Sequence, residues 1–168
     1  MNTISFTIVG KPVTQGSTRV VPIKAKGGGY LTRPDGRPVL RPIHQDDQKL
    51  ENRRQEIANA ARAVYDGPLL TGALKLTVVI ERPRPAGHYG TGRNAGILKS
   101  SASTWPTPRP DTLKIVRAIE DALTGVLWRD DSQIVMHSLT KCWADFSRML
   151  IEVEPLDAAA AGGGNDDT

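Results

Sequence analysis

The stretch "RPDTLKIVRAIEDALTGVLWRDDSQIV", residues 109 to 135, holds the groups best suited to chemistry. Asp111 stands just ahead of an apolar periodic run, and Asp130 and Asp131 sit side by side after it. Adjacent carboxylates repel, and a cation relieves that repulsion. Hard oxygen ligands of this kind suit Mg²⁺ or Mn²⁺. A divalent cation held by carboxylates near bound phosphates is what phosphodiester hydrolysis requires, because it activates water and offsets charge on the leaving oxygen. The same residues also have plain structural readings. An aspartate after proline at the head of a helix is an ordinary N-cap, and Asp130 and Asp131 read equally well as turn residues between helix and strand. His44, His88, His137 and the single Cys142 are scattered, with no metal-ligand spacing.

Residues 111 to 124 must form the helix that carries these groups. Ile115, Val116, Ile119, Ala122 and Leu123 make one apolar stripe, Lys114, Arg117, Glu120 and Asp121 gather on the opposite face, and Gly125 ends it. A four-residue turn then sends the chain back to the sheet, so the Asp111 site and the Asp130–Asp131 site are expected to share one sheet edge. Strands are expected at 3–9, 72–81, within 132–143 and within 147–154, and a second helix at 46–65 with Leu50, Ile57, Ala61 and Val64 on one face. That order predicts a single α/β (α+β) domain over 1–154, a mixed β-sheet of about four strands packed with two main helices, followed by a disordered tail at 155–168. Trp128 and Trp143 are expected in the core or at a dimer interface.

Two segments lack periodicity. Residues 24 to 43 are basic and turn-rich, "RPDG" at 33–36 marks a turn, and the segment reads as a mobile hairpin. Residues 82 to 110 carry Arg82, Arg84, Arg93, Lys99 and Arg109 and no acid. A stretch this long reads either as an insertion or as a basic flap that orders on a polyanion.

Charge points the same way. The chain of 168 residues has a formal charge of +4, yet the tail holds three aspartates and no Lys or Arg, which leaves the first 154 residues at +7. A basic body on a small domain fits a polyanionic partner. At 39% hydrophobic and 24% charged residues the composition is that of a globular protein. No apolar run approaches the roughly 18 residues of a membrane span, so no membrane partner is expected. The start "MNTISFTIVG" does not read as a signal peptide, and one cysteine forms no internal disulfide, so a cytoplasmic location is expected.

The 109–135 stretch resembles the signature of the RusA family of Holliday junction resolvases, in which a "D-x-D-N-L-x-K-A-x-x-D-A-L-x-G" helix is followed by a short link and "D-D-x-Q-[IV]". "FTIVGKPVTQGSTRV" at the start is similar to the family's first strand and its "G-x-P-x-x-x-x-x-x-R" loop. The resemblance covers most of residues 4 to 153. It implies a small homodimeric, Mg²⁺-dependent endodeoxyribonuclease of phage or prophage type that cuts four-way DNA junctions in recombination and repair. Anchored on "DALTG" at 121–125, the family's first aspartate falls on Asp111, its asparagine on Lys114, its lysine on Arg117 and its later catalytic aspartate on Asp131, with Asp130 beside it. The departure is Leu113, which stands where the family has its second metal-binding aspartate. Glu120 and Asp121 lie about 10–12 Å further along the helix, and Asp121 is expected to support Arg117 at four-residue spacing.

By this resemblance Asp111 and Asp131, with Asp130 assisting, hold Mg²⁺ or Mn²⁺ at the scissile phosphate, and Arg117 or Lys114 stabilises transition-state charge. Lys11, Arg19, Arg82, Arg84, Arg93, Lys99 and Arg109 are the expected contacts to backbone phosphates. A protein that binds branched DNA without cutting is the main rival, and Leu113 is its support. A flap or fork nuclease, and a single-strand or RNA module using Trp105, Tyr89 and Tyr30, are the others.

Overall fold

The computed structural model describes residues 3–14, 19–43 and 47–156, so the expected tail lies outside the described residues apart from its first two positions. Four strands make the main sheet: β1 (Ile4–Val9), β4 (Leu74–Pro83), β5 (Ile134–Ala144) and β6 (Arg148–Pro155). Their order is β1-β6-β4-β5, with β4 and β5 parallel and the other neighbours antiparallel. Helices α1 (Asp47–Val64) and α2 (Thr112–Leu123) complete the single α+β domain. A separate two-stranded sheet pairs β2 (Arg19–Pro22) with β3 (Leu40–Ile43).

The core follows from alternation. Ile4, Phe6 and Ile8 of β1 are buried while Ser5, Thr7 and Val9 are exposed. The register stacks these three against Val153, Ile151 and Met149 of β6, which in turn meet Leu76, Val78 and Ile80 of β4. Side chains on one strand face share a period of two, so all nine point to the same layer. Ile57 and Ala61 of α1 and the Ile115, Val116, Ile119, Ala122, Leu123 stripe of α2 join that cluster. Trp128 is fully buried beside them, and its indole N–H donates to Thr124 Oγ1 at 3.2 Å. Val64, expected on the buried face of α1, is exposed at the helix's last residue, and Ala58 is buried instead.

Topology places the site. β4, the 84–111 segment, α2 and β5 form a parallel crossover. Such a crossover returns the chain to the starting end of the strand it left. Therefore α2 runs antiparallel to β4 and β5: its start lies by the ends of those strands, and its end lies by their beginnings. The 84–111 segment folds on itself. Short 3₁₀ turns at 86–88 and 92–94 alternate with backbone bonds such as Lys99 N–H to His88 O at 2.9 Å. Trp143 packs against this segment, donating its indole N–H to Ser103 O at 3.0 Å and meeting His88 edge-on.

Candidate active site

The start of α2 builds one half of the site. Asp111 is the N-cap, and its Oδ1 accepts the Leu113 backbone N–H at 2.9 Å. Capping satisfies one of the helix's free N–H groups. A cleft of about 570 Å³ opens here, lined by Asp111, Lys114, Arg109, Lys141, Thr14 and Thr107. Lys141 comes from β5, where the register puts His137, Leu139 and Lys141 on the face that α2 covers. Its Nζ donates to Pro108 O at 3.1 Å and to Pro110 O at 3.3 Å. Arg82 donates to Pro108 O and Arg109 O at 3.1 and 2.8 Å. These two cations fix the approach to Asp111. One carboxylate among Arg109, Lys114 and Lys141, at the positive end of a helix dipole, makes an anion-attracting cleft that still offers a hard oxygen ligand.

The far end of α2 builds the other half. Asp130 caps the 131–133 turn, accepting the Ser132 N–H at 2.9 Å, and forms a capping box with Gln133. Hydrogen bonds from Ser132, side chain and backbone, hold the Asp130 carboxyl below its ordinary range, with a smaller contribution from Asp131. A carboxylate depressed on folding adds stability above its unfolded pKa and loses it as pH falls through the lowered folded value. Asp131 is exposed beside it. The pair therefore coexists through turn capping.

Gln133 makes that turn rigid. Its Oε1 accepts the N–H groups of Arg129 and Asp130 at 3.0 and 3.2 Å, while Nε2 donates to Leu70 O at 3.0 Å and Gly72 O at 3.3 Å. All four of its hydrogen-bonding positions are used. Gln133→Ala is expected to cost about 1–3 kcal/mol, because it strands several partners at once in a half-buried turn. A urea midpoint unchanged from that of the native protein would refute this role.

The two halves do not meet within one chain. Asp111 and Asp131 flank opposite ends of a 12-residue helix, about 18 Å by helix rise. The expectation that both would share one edge fails because the returning turn delivers the chain to the start of β5, while Asp111 lies by its end. No group of three His, Cys, Asp or Glu is arranged to hold a metal among the described residues. Leu113 is 68% exposed, two residues from Asp111, whose carboxylate accepts its backbone N–H. Glu120, whose Oε1 lies 2.6 Å from His137 Nε2, stands seven residues beyond Leu113, about 10 Å along the helix and too far to take its place. Asp121 pairs with Arg54 of α1 and not with Arg117, as spacing had suggested.

The expected phosphate contacts divide. Arg84 donates to Ser103 O at 3.0 Å and lies over the Trp143 ring, and Lys99 donates to Gly87 O at 2.9 Å, so with Arg82 they hold the 84–111 segment in shape. Lys11, Arg93 and Arg109 are exposed, as is Arg117, the expected transition-state cation. The side chain of Arg19 lies outside what is described. Lys141 was missed by sequence reading; its signal was the alternation His137, Leu139, Lys141 on a strand whose inner face should be apolar throughout.

Comparison with known proteins bears on the family of the chain. Residues 31–154 match the family model described as Endodeoxyribonuclease RusA. The chain is also 26% identical over 164 residues to the uncharacterized protein YqaN of Bacillus subtilis (strain 168), a similarity that covers 94% of this chain and 100% of that protein.

Proposed function

Because this chain belongs to the RusA endodeoxyribonuclease family, we propose that it is a metal-dependent nuclease that resolves four-way DNA junctions in the cytoplasm during recombination and repair, acting as a homodimer. The observation that carries this reading is the cleft at the start of α2, where Asp111 is ringed by Arg109, Lys114 and Lys141. A phosphate fits the cations and the helix dipole.

The donor chemistry fits Mg²⁺ or Mn²⁺, which prefer carboxylate oxygens, but one chain does not bring enough of them together. A second copy that sets its Asp131 beside Asp111 would complete the donor set, with Asp130 held ready in its capped turn. When bound, such a metal supplies an activated water and charge neutralisation on the phosphate. The chain's own residues do the rest. Arg109, Lys114 and Lys141 seat the phosphate. Arg117, exposed one turn beyond Lys114 on α2, reaches the charge that develops during cleavage. A two-fold dimer matches the two-fold symmetry of a junction.

Leu113 favours a second reading, a junction-binding protein that no longer cuts. The test is cleavage of a labelled four-way junction beside linear duplex, with Mg²⁺ or Mn²⁺, by the native protein and by Asp131→Asn. Junction-selective nicking abolished by the substitution supports the nuclease. Tight, salt-sensitive binding with no nicking in either metal would assign the binding role.

A further inference from the structure

Residues 19–43 form an arm built apart from the main sheet. β2 and β3 pair antiparallel from Arg19–Ile43 to Pro22–Leu40. Beyond the pair, three short extended segments close a ring of backbone bonds: Ile23 N–H to Val39 O at 2.9 Å, Val39 N–H to Leu31 O at 2.7 Å and Leu31 N–H to Ile23 O at 2.8 Å. The turns between them use left-handed glycines, Gly28 and Gly29 in one and Gly36 in the other, where a side chain would be strained. The arm thus has a defined backbone, yet none of its described side chains is fully buried. Packing does not explain why this segment is kept in shape.

Its charge does. Residues 19–43 contain Arg19, Lys24, Lys26, Arg33, Arg37 and Arg41 against one acid, Asp35, a net +5 where the whole chain carries +4. Lys24, Lys26, Arg33, Arg37 and Arg41 are all exposed. Among the described residues, the arm's one ion pair is Arg37 with Asp35, at 3.9 Å and with the Arg37 side chain 84% exposed. Such a contact neutralises little. A coreless β-structure with unbalanced like charge on its surface is suited to a polyanion, and a narrow β-ribbon is of a size that DNA's major groove admits.

We propose that this arm is a second DNA-contacting element, separate from the Asp111 cleft, which grips the sugar-phosphate backbone of a duplex arm without reading its sequence. The inference rests on the nuclease reading for the identity of the polyanion. The test is binding of labelled four-way junction and linear duplex by the full chain in EDTA, so that no cutting intervenes, across a series of salt concentrations. In the variant Lys24→Gln, Lys26→Gln, Arg33→Gln, Arg37→Gln, Arg41→Gln, affinity for both DNAs should fall at least about tenfold, and the salt slope should shrink by roughly 0.9 for each phosphate that the arm no longer neutralises. A second variant, Arg33→Lys, Arg37→Lys, Arg41→Lys, keeps the charge and should bind within about threefold of native, since backbone contacts need charge more than shape. Native-like affinity and slope in the glutamine variant would overturn the proposal, as would equal losses in both variants, which would mark a structural role. A native protein that binds in EDTA but never cuts junctions in metal sinks the nuclease reading and leaves the arm standing. A native protein that binds neither DNA sinks both.

Discussion

Asp111→Asn and Asp131→Asn proteins, each inert alone, are expected to regain junction cleavage when mixed and allowed to exchange subunits. The reason is the length of α2. Its 12 residues separate the two aspartates by about 18 Å in one chain, so a site using both must draw them from two chains. A mixed dimer then has one site in which both substitutions fall and one in which both aspartates are intact. With random exchange, half the dimers are mixed, and about a quarter of the native site count returns. Each single variant should lose about a thousandfold in rate, near 4 kcal/mol of transition-state stabilisation. Asparagine caps helices as well as aspartate does, and so the loss at position 111 is not one of folding, which an unchanged melting temperature would verify. Exchange itself is checked by co-purification of differently tagged subunits. Exchanged but inactive mixtures would show that the two aspartates do not meet across the dimer.

Much of the scaffold was legible because short-range pattern determines it. The alternation of Ile4, Phe6 and Ile8 and the apolar stripe of α2 each report a buried face, and both strand and helix form where expected. Asp111 as N-cap and Asp130 as turn cap follow from local hydrogen bonding alone. What pattern does not encode is strand order. Nothing in the periodicity of β4 or β5 says that they are parallel neighbours, and that pairing is what lays α2 back along β5, with Asp111 by the end of the strand and Asp131 by its start. Tertiary partners were hidden for the same reason. Arg54 lies 67 residues from Asp121 and captures it, where an i,i+4 contact to Arg117 would have contributed only about 0.2–0.5 kcal/mol. Arg82 was expected to touch phosphate and Lys141 was not singled out; both also hold carbonyls at the approach to Asp111. A cation in a sequence gives no sign of whether its partner is a phosphate or the chain's own backbone. The "RPDG" turn signalled a hairpin at 33–36, but the pairing of 19–22 with 40–43 joins segments too distant for any turn rule to read.

Leu113→Asp is expected to lower the Mg²⁺ concentration for half-maximal cleavage by about tenfold or more, because charge count on a hard-cation site sets its affinity. The position is suited to the change. Leu113 is 68% exposed in the first turn of α2, so replacing it removes little apolar burial. A carboxylate there also meets the positive end of the helix dipole, which adds about 0.3–1 kcal/mol of stability. The new group would lie two residues from Asp111, whose cleft is lined by the cations Arg109, Lys114 and Lys141. The same substitution separates the two functional readings. In a working nuclease it sharpens an existing metal response, and thermal stabilisation by Mg²⁺ should appear at lower concentration than in the native protein. In a protein that binds without cutting, it should create cleavage where none existed. If metal response and cleavage both stay as in the native chain while junction binding weakens, Leu113 touches DNA, and Asp111 serves as a helix cap beside a phosphate and not as a metal ligand.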